Sequence, residues 1–193
     1  MEAQGLKVNT LEIAGMASVL QALRLPFGKE CRSSCTFKGD VNDTDFTSTL
    51  LHTESQCFIN DKDLKLLSTL VKRGEEHSKS IRGLIVYAEI EAPRFWWAEA
   101  DTYRIGTERL ASESTIHIQG KGLSTEELVK MKSELTEGTI QKRVQMFSYQ
   151  TLRRIWIQRH NHRLPMWHDF CKWIESLPFA DELILIGLKY GQD

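Results

Sequence analysis

Apolar positions recur at helical spacing in several separated stretches of the chain and at strand spacing in one, and this contrast predicts most of its elements. Asn9 and Thr10 precede Leu11, Ile13, Met16, Ala17, Val19, Leu20 and Leu23, a stripe that predicts one amphipathic helix stopped by Pro26 and Gly28. Polar residues crowd positions 29–60 without a period, which predicts irregular structure with a short strand at 56–59. Asp61 is placed to cap a second helix, whose buried face is Leu64, Leu66, Leu67, Leu70 and Val71 and whose exit is Gly74. Residues 84–90 are β-branched and aromatic and predict a strand. Pro93 then opens a buried helix carrying Phe95, Trp96, Trp97, Ala98 and Ala100, which runs to about Tyr103 and is ended by Gly106. Ser124 and Glu127 form a capping box for a helix to about Leu135, closed by Gly138. A helix over 148–163 carries Leu152, Ile155, Trp156 and Arg159, and Pro165 separates it from another with Trp167, Phe170, Cys171, Trp173 and Ile174. The tryptophans read as core rather than as stacking platforms. Many helices around few strands, with no repeat and no linker, predict a single α+β domain over residues 1–193.

Composition narrows the function classes. Hydrophobic residues make up 41% of the chain and charged residues 26%, enough apolar surface for a folded core. A formal net charge of −1 leaves no overall electrostatic footprint for duplex nucleic acid or an anionic membrane, so an anion site has to be local. No stretch approaches the roughly 20 apolar residues that cross a bilayer, and the first ten carry no leader pattern, which predicts a cytoplasmic protein. Cys31 and Cys35 lack a matching second pair, and Asn161, Arg163 and Pro165 interrupt His160, His162 and His168; neither group predicts a metal site.

Two constellations carry candidate chemistry. Residues 101–107 and 112–117 place Tyr103 and Arg104, a glycine turn and the hydroxyls of Thr107, Ser112 and Ser114 close in sequence, with His117 after them. A fixed cation, backbone amides and short donors suit a phosphate; the same residues also suit a polar turn that caps neighbouring helices. The second constellation is Arg159, which at about 100° per residue lies about 20° around its helix from Leu152 and so shares the apolar face. An unpaired guanidinium there would cost several kcal/mol, on the order of a buried charge, so it needs either a bound phosphate or a carboxylate partner. Arg153 and Arg154 point away from that face and are expected in solvent or at a subunit contact.

These residues resemble a known family, the flavin-dependent thymidylate synthases (ThyX). Pro93-Arg-Phe95-Trp-Trp97 followed by Arg104-Ile-Gly106-Thr107 resembles the ThyX stretch in which Pro-x-Phe-x-Trp leads into Arg-His-Arg-x-x-Ser and then Asn-Glu-x-Ser-x-Arg. Residues 152–159 resemble its Leu-Arg-His-Phe-Leu-x-Leu-Arg helix, and Trp167 falls near the Trp of its Ala-Gln-Trp-Glu segment. The likeness covers about 61–175 in patches. Thr102 and Tyr103 stand where the family has Arg and His, Thr107 replaces Ser, Leu110 falls at its Glu, and the reactive Ser is matched by Ser112 or by Ser114. The string 102–107 followed by Ser114-Thr-Ile-His117 is similar to a phage-encoded ThyX-like group, which would place the protein in a host cytoplasm.

The resemblance implies helices packed on a small, mostly antiparallel sheet and a homotetramer. It also implies FAD as cofactor and a nucleotide ligand held by Tyr103, Arg104, Thr107, Ser112, Ser114, His117 and Arg159. Three activities follow as expectations: nucleotide binding with methyl transfer altered or lost, an active synthase using Tyr103 and Thr107, or sequestration of a signalling nucleotide.

Overall fold

The computed structural model describes residues 5–29, 34–36 and 56–188. Its first element corrects the sequence reading. Residues 11–14 are not helical: strand β1 (Lys7–Ala14) precedes helix α1 (Met16–Arg24). Gly15 separates them with a left-handed φ of 94°, at a point where a side chain would strike the Gly83 carbonyl. Strand and helix each present apolar residues to the same core, so their two periods run together in the sequence as one stripe.

Strands β2 (Ser34–Thr36) and β3 (Gln56–Phe58) form a small antiparallel pair with Cys35 opposite Cys57, so the strand expected at 56–59 is present. Residues 30–33 and 37–55, expected to be irregular, lie outside the described residues. Helix α2 (Asp61–Lys72) begins one residue earlier than expected: its cap is Asn60 rather than Asp61, and the Asn60 side chain accepts the Lys62 amide at 3.0 Å.

The expected central strand is β4 (Ile85–Pro93), followed at once by α3 (Arg94–Ala100). Beyond it lie β5 (Thr107–Ser112), α4 (Thr115–Gln119), α5 (Thr125–Ser133), β6 (Ile140–Ser148), α6 (Tyr149–Arg159), α7 (Pro165–Glu175) and the short α8 (Ala180–Leu183). The four long strands form one antiparallel sheet in the order β1-β4-β6-β5. This is the α+β architecture expected, although β5 and β6 were not legible as strands. On β6 the residues turned toward the helices include buried Arg143 and Gln145, which invert the usual alternation.

One face of the sheet carries the core. Val86, Ala88, Ile90 and Ala92 of β4 pack beneath Trp96, Trp97, Trp167 and Phe170, all buried. Trp96 meets Trp97 edge-on at 4.9 Å and Trp167 at 4.8 Å between ring centroids, so the tryptophans are core as the spacing implied. Burial also pushes the Cys171 thiol up to about 12, with Glu175 adding to the effect. Alkylation mapped by mass spectrometry should therefore leave Cys171 unmodified until the protein unfolds; labelling in the native state would contradict this burial.

Arg153 departs from expectation: its Nη1 donates to the carbonyls of Ile184 and Ile186, the latter at 3.0 Å, and ties the C-terminal turn to α6. Arg154 pairs with Glu75, holding that carboxyl below its ordinary value mainly through the hydrogen bond. Among the described residues, no helix is long and apolar enough to cross a membrane.

Candidate anion-binding site

The turn between α3 and β5 is pinned from below by the start of α6. Gly106 takes φ 75°, its carbonyl accepts the Ser148 amide at 2.8 Å, and Thr151 Oγ1 donates to the Ile105 carbonyl at 2.7 Å. Thr107 Oγ1 donates to the Tyr103 carbonyl. The hydroxyls of this turn therefore fix its shape first, which is the capping alternative of the sequence reading, and they hold Tyr103 and Arg104 side by side at the rim.

Tyr103 meets Arg159 directly. Arg159 Nε donates to the Tyr103 hydroxyl at 2.7 Å, and that hydroxyl donates onward to Gln158 Oε1 at 2.9 Å. The acceptor required by a core-facing guanidinium is Glu99, whose Oε2 lies 3.0 Å from Arg159 Nη1 and also accepts Trp167 Nε1 at 2.8 Å. The guanidinium carbon sits 4.6 Å from the Trp167 ring centre, and His162 Nε2 lies 2.7 Å from Arg159 Nη1. Of the two partners left open for Arg159, the carboxylate is the one the protomer provides. Nothing in the spacing marked Glu99 out: the helix expected to be buried buries Trp96 and Trp97 but leaves Phe95 and Ala98 exposed, so its polar positions gave no single signal.

The remaining expected residues lie along β5 and beyond it. The register of β5 against β6 slips between Arg109 and Ala111, so Arg109 faces Gln145 and Ser112 faces Arg143. Without that bulge Ser112 would fall on the opposite face of the sheet. Ser114 caps α4, its side chain accepting the His117 amide at 3.5 Å, and the His117 side chain is exposed. Tyr103, Arg104, Thr107 and Arg159 thus form one group, whereas Ser112, Ser114 and His117 lie at the far end of β5, about 17 Å along a six-residue strand.

Two neighbouring cavities border these groups. One of about 360 Å³ is walled by Asp101, Tyr103, Arg104, Thr107, Glu108, Arg109 and Gln145. The other, of about 530 Å³, lies beside Ser112's end of the strand and includes Arg94, Arg109, Lys132 and Arg143 in its wall. Asp101 and Arg109 belong to both. Arg94, Arg109, Lys132 and Arg143 were not anticipated from sequence, because they come from four separate elements that only the fold brings together.

With this geometry in place, comparison with solved structures is informative. A crystal structure described as flavin-dependent thymidylate synthase ThyX from Helicobacter pylori complexed with FAD and dUMP aligns over 92% of this chain and 97% of its own, with a TM-score of 0.62 and 13% identity. A second, described as thymidylate synthase X from the same organism with FAD and dUMP, aligns over 93% and 97% with a TM-score of 0.62 and 14% identity. The fold is that of ThyX. Neither family models nor characterised proteins match the sequence itself. The helix-strand order and signature patches that resembled ThyX thus lie in a ThyX-like architecture, while at this identity the likeness extends to the fold alone.

Proposed function

We propose that this protein binds a nucleotide in a ThyX-like fold whose site has diverged, with methyl-transfer chemistry altered or lost. The observation that carries this reading is the Tyr103–Arg159–Glu99 arrangement. Tyr103 stands where the family has His, and its hydroxyl is committed to Arg159 and Gln158. Arg159 in turn is compensated by Glu99. The corner keeps a polar, cationic character through exposed Arg104 and Arg109 on the 360 Å³ cavity, but its inner guanidinium already has an anion. Each charge-assisted hydrogen bond forgone is worth about 1.5–3 kcal/mol, or about 10- to 150-fold in affinity.

The matched ThyX structures hold FAD and dUMP, and the donors here fit the phosphates of such molecules: Arg104 and Arg109 have no carboxylate partner among the described residues. Arg104 and Arg109 would hold a diphosphate of FAD; a bound flavin would supply hydride transfer. The chain's own residues bind and orient the guest: Thr107 and Thr151 fix the turn, and Tyr103 sets the cavity's inner edge. We place this site within a homo-oligomer, as the ThyX resemblance implies.

Native mass spectrometry of the purified protein, followed by titration with FAD and dUMP, tests the reading. Nucleotide binding is the expected result, with no dUMP-dependent oxidation of NADPH, the reductant that the ThyX resemblance implies, when FAD is supplied. Absence of any nucleotide affinity would remove the binding claim, and sustained turnover would remove the altered chemistry.

A further inference from the structure

The larger cavity holds a group of guanidiniums of which Arg109 alone also borders the cavity at the Tyr103 corner. Arg94 enters from the first turn of α3, Arg109 from β5 and Arg143 from β6, with Lys132 of α5 on the same wall. Arg143 is satisfied: its Nη1 reaches both Asp101 oxygens at 2.8 and 3.0 Å, its Nε donates to Gln141 at 3.0 Å, and its carbon lies 4.2 Å from the Trp97 ring centre. Lys132 donates to Thr115 Oγ1 at 2.6 Å. Arg94 and Arg109 differ, for neither guanidinium has a hydrogen bond or an ion pair among the described residues.

The carboxylates on this wall do not answer that deficit. Asp101 is engaged by Arg143, Glu113 Oε2 accepts the Lys142 amide at 3.0 Å, and Glu137 forms no ion pair with either arginine. Burial lowers the Arg143 guanidinium below its ordinary value against the opposing pull of Asp101, and the charges of Arg109 and Arg94 lower it further. Like charges are therefore close enough to repel.

A second observation concerns Gln145, directly across the strand pair from Arg109. It is 7% exposed, and its Oε1 is buried with no donor, although the Arg109 guanidinium is a ready one. Arg109 therefore extends past its neighbour into the cavities rather than lying along the sheet. Apolar side chains of Ala98, Ile118, Leu135 and Ile140 line the same space.

We infer that Arg94 and Arg109 form a second anion seat, which takes the phosphate or diphosphate of a small molecule whose less polar body lies against Ile118, Leu135 and Ile140. Two unpaired guanidiniums call for a guest carrying two negative charges, which favours a phosphate ester or diphosphate over a monocarboxylate. The seat shares Arg109 with the cavity at the Tyr103–Arg159 corner and so rests in part on the nucleotide reading, whereas Arg94 borders the larger cavity and not the smaller one, which lets Arg94→Ala tell the two apart.

Titration calorimetry at low ionic strength tests it, with inorganic pyrophosphate as the probe and acetate as the monoanion. Saturable pyrophosphate binding is expected, with none for acetate. Arg94→Ala and Arg109→Ala should each weaken it at least about 10-fold, as loss of a charge-assisted pair implies, and Arg109→Lys should restore part of it. Lys62→Ala, which removes one exposed charge from α2, should leave it unchanged. Circular dichroism checks that the variants fold. Absence of saturable binding to the wild type, or equal binding by folded Arg94→Ala and Arg109→Ala, overturns the seat. Pyrophosphate binding without dUMP or FAD binding would instead strike the nucleotide reading and leave the seat standing.

Discussion

Replacing Gly106 with alanine should lower stability by about 2–4 kcal/mol, through a left-handed φ unsuited to a side chain and through overpacking, and should lower Tm by roughly 5–15 °C. Gly106 has φ 75°, and a Cβ there would run into the hydroxyls of Thr151 and Ser148, the latter at 2.6 Å. Those hydroxyls are hydrogen-bonded to each other at 2.9 Å, and Thr151 also holds the Ile105 carbonyl. A methyl group would therefore displace the start of α6 from the turn that carries Tyr103 and Arg104. Gly138 supplies the control: its φ is not positive and its nearest neighbour beyond the adjoining residues is Thr136 Oγ1 at 3.8 Å. Gly138→Ala should be neutral or slightly stabilising, since alanine narrows the unfolded ensemble. Thermal melts of the two variants decide the matter, and equal Tm values would defeat the account of the turn.

Where one secondary-structure period governed a segment, the sequence was legible. The strand read at 84–90, which the structure extends to Pro93, the capping box at Ser124 and Glu127, and the helices split by Pro165 all follow from spacing, caps and breakers. Legibility failed where tertiary pairing overruled the local pattern. In β1 an edge strand and the following helix share one apolar stripe, and only the backbone of Gly15 divides them. In β5 most side chains are exposed, and in β6 Arg143 and Gln145 occupy positions that a strand facing a core usually fills with aliphatics. The site shows the same division. Tyr103, Arg104, Thr107 and Arg159 were visible because three are consecutive or nearly so and the fourth lies on an apolar face. Arg94, Arg109 and Arg143 each look like ordinary surface charges in sequence. Glu99 was hidden for a related reason: an isolated glutamate on a tryptophan-rich helix acquires meaning only when α6 and α7 deliver Arg159 and Trp167 to it.

Glu99 is also where stability and binding should part company. Its Oε2 receives Arg159 and Trp167, and His162 Nε2 approaches it to 3.7 Å. Truncation to alanine strips the partner from a guanidinium only 17% exposed. Breaking a fully buried pair costs about 3–5 kcal/mol; with Glu99 itself 38% exposed, solvent screens part of the pair, and about 2–3 kcal/mol is expected. Glu99→Gln should cost less, because an amide oxygen can still accept Trp167 Nε1 while the compensating charge is lost. Anion affinity at the Tyr103 corner should move the other way, since Arg159 would then seek its counter-charge from the guest; a rise of about 10-fold corresponds to one modest charge-assisted bond. Denaturant titration and pyrophosphate or dUMP calorimetry on Glu99→Gln, in the Arg94→Ala background to silence the second seat while leaving the corner's wall intact, separate the two effects. If stability falls and affinity at the corner falls with it, Glu99 supports the ligand rather than standing in its place, and the view of Arg159 as an occupied cation has to be given up.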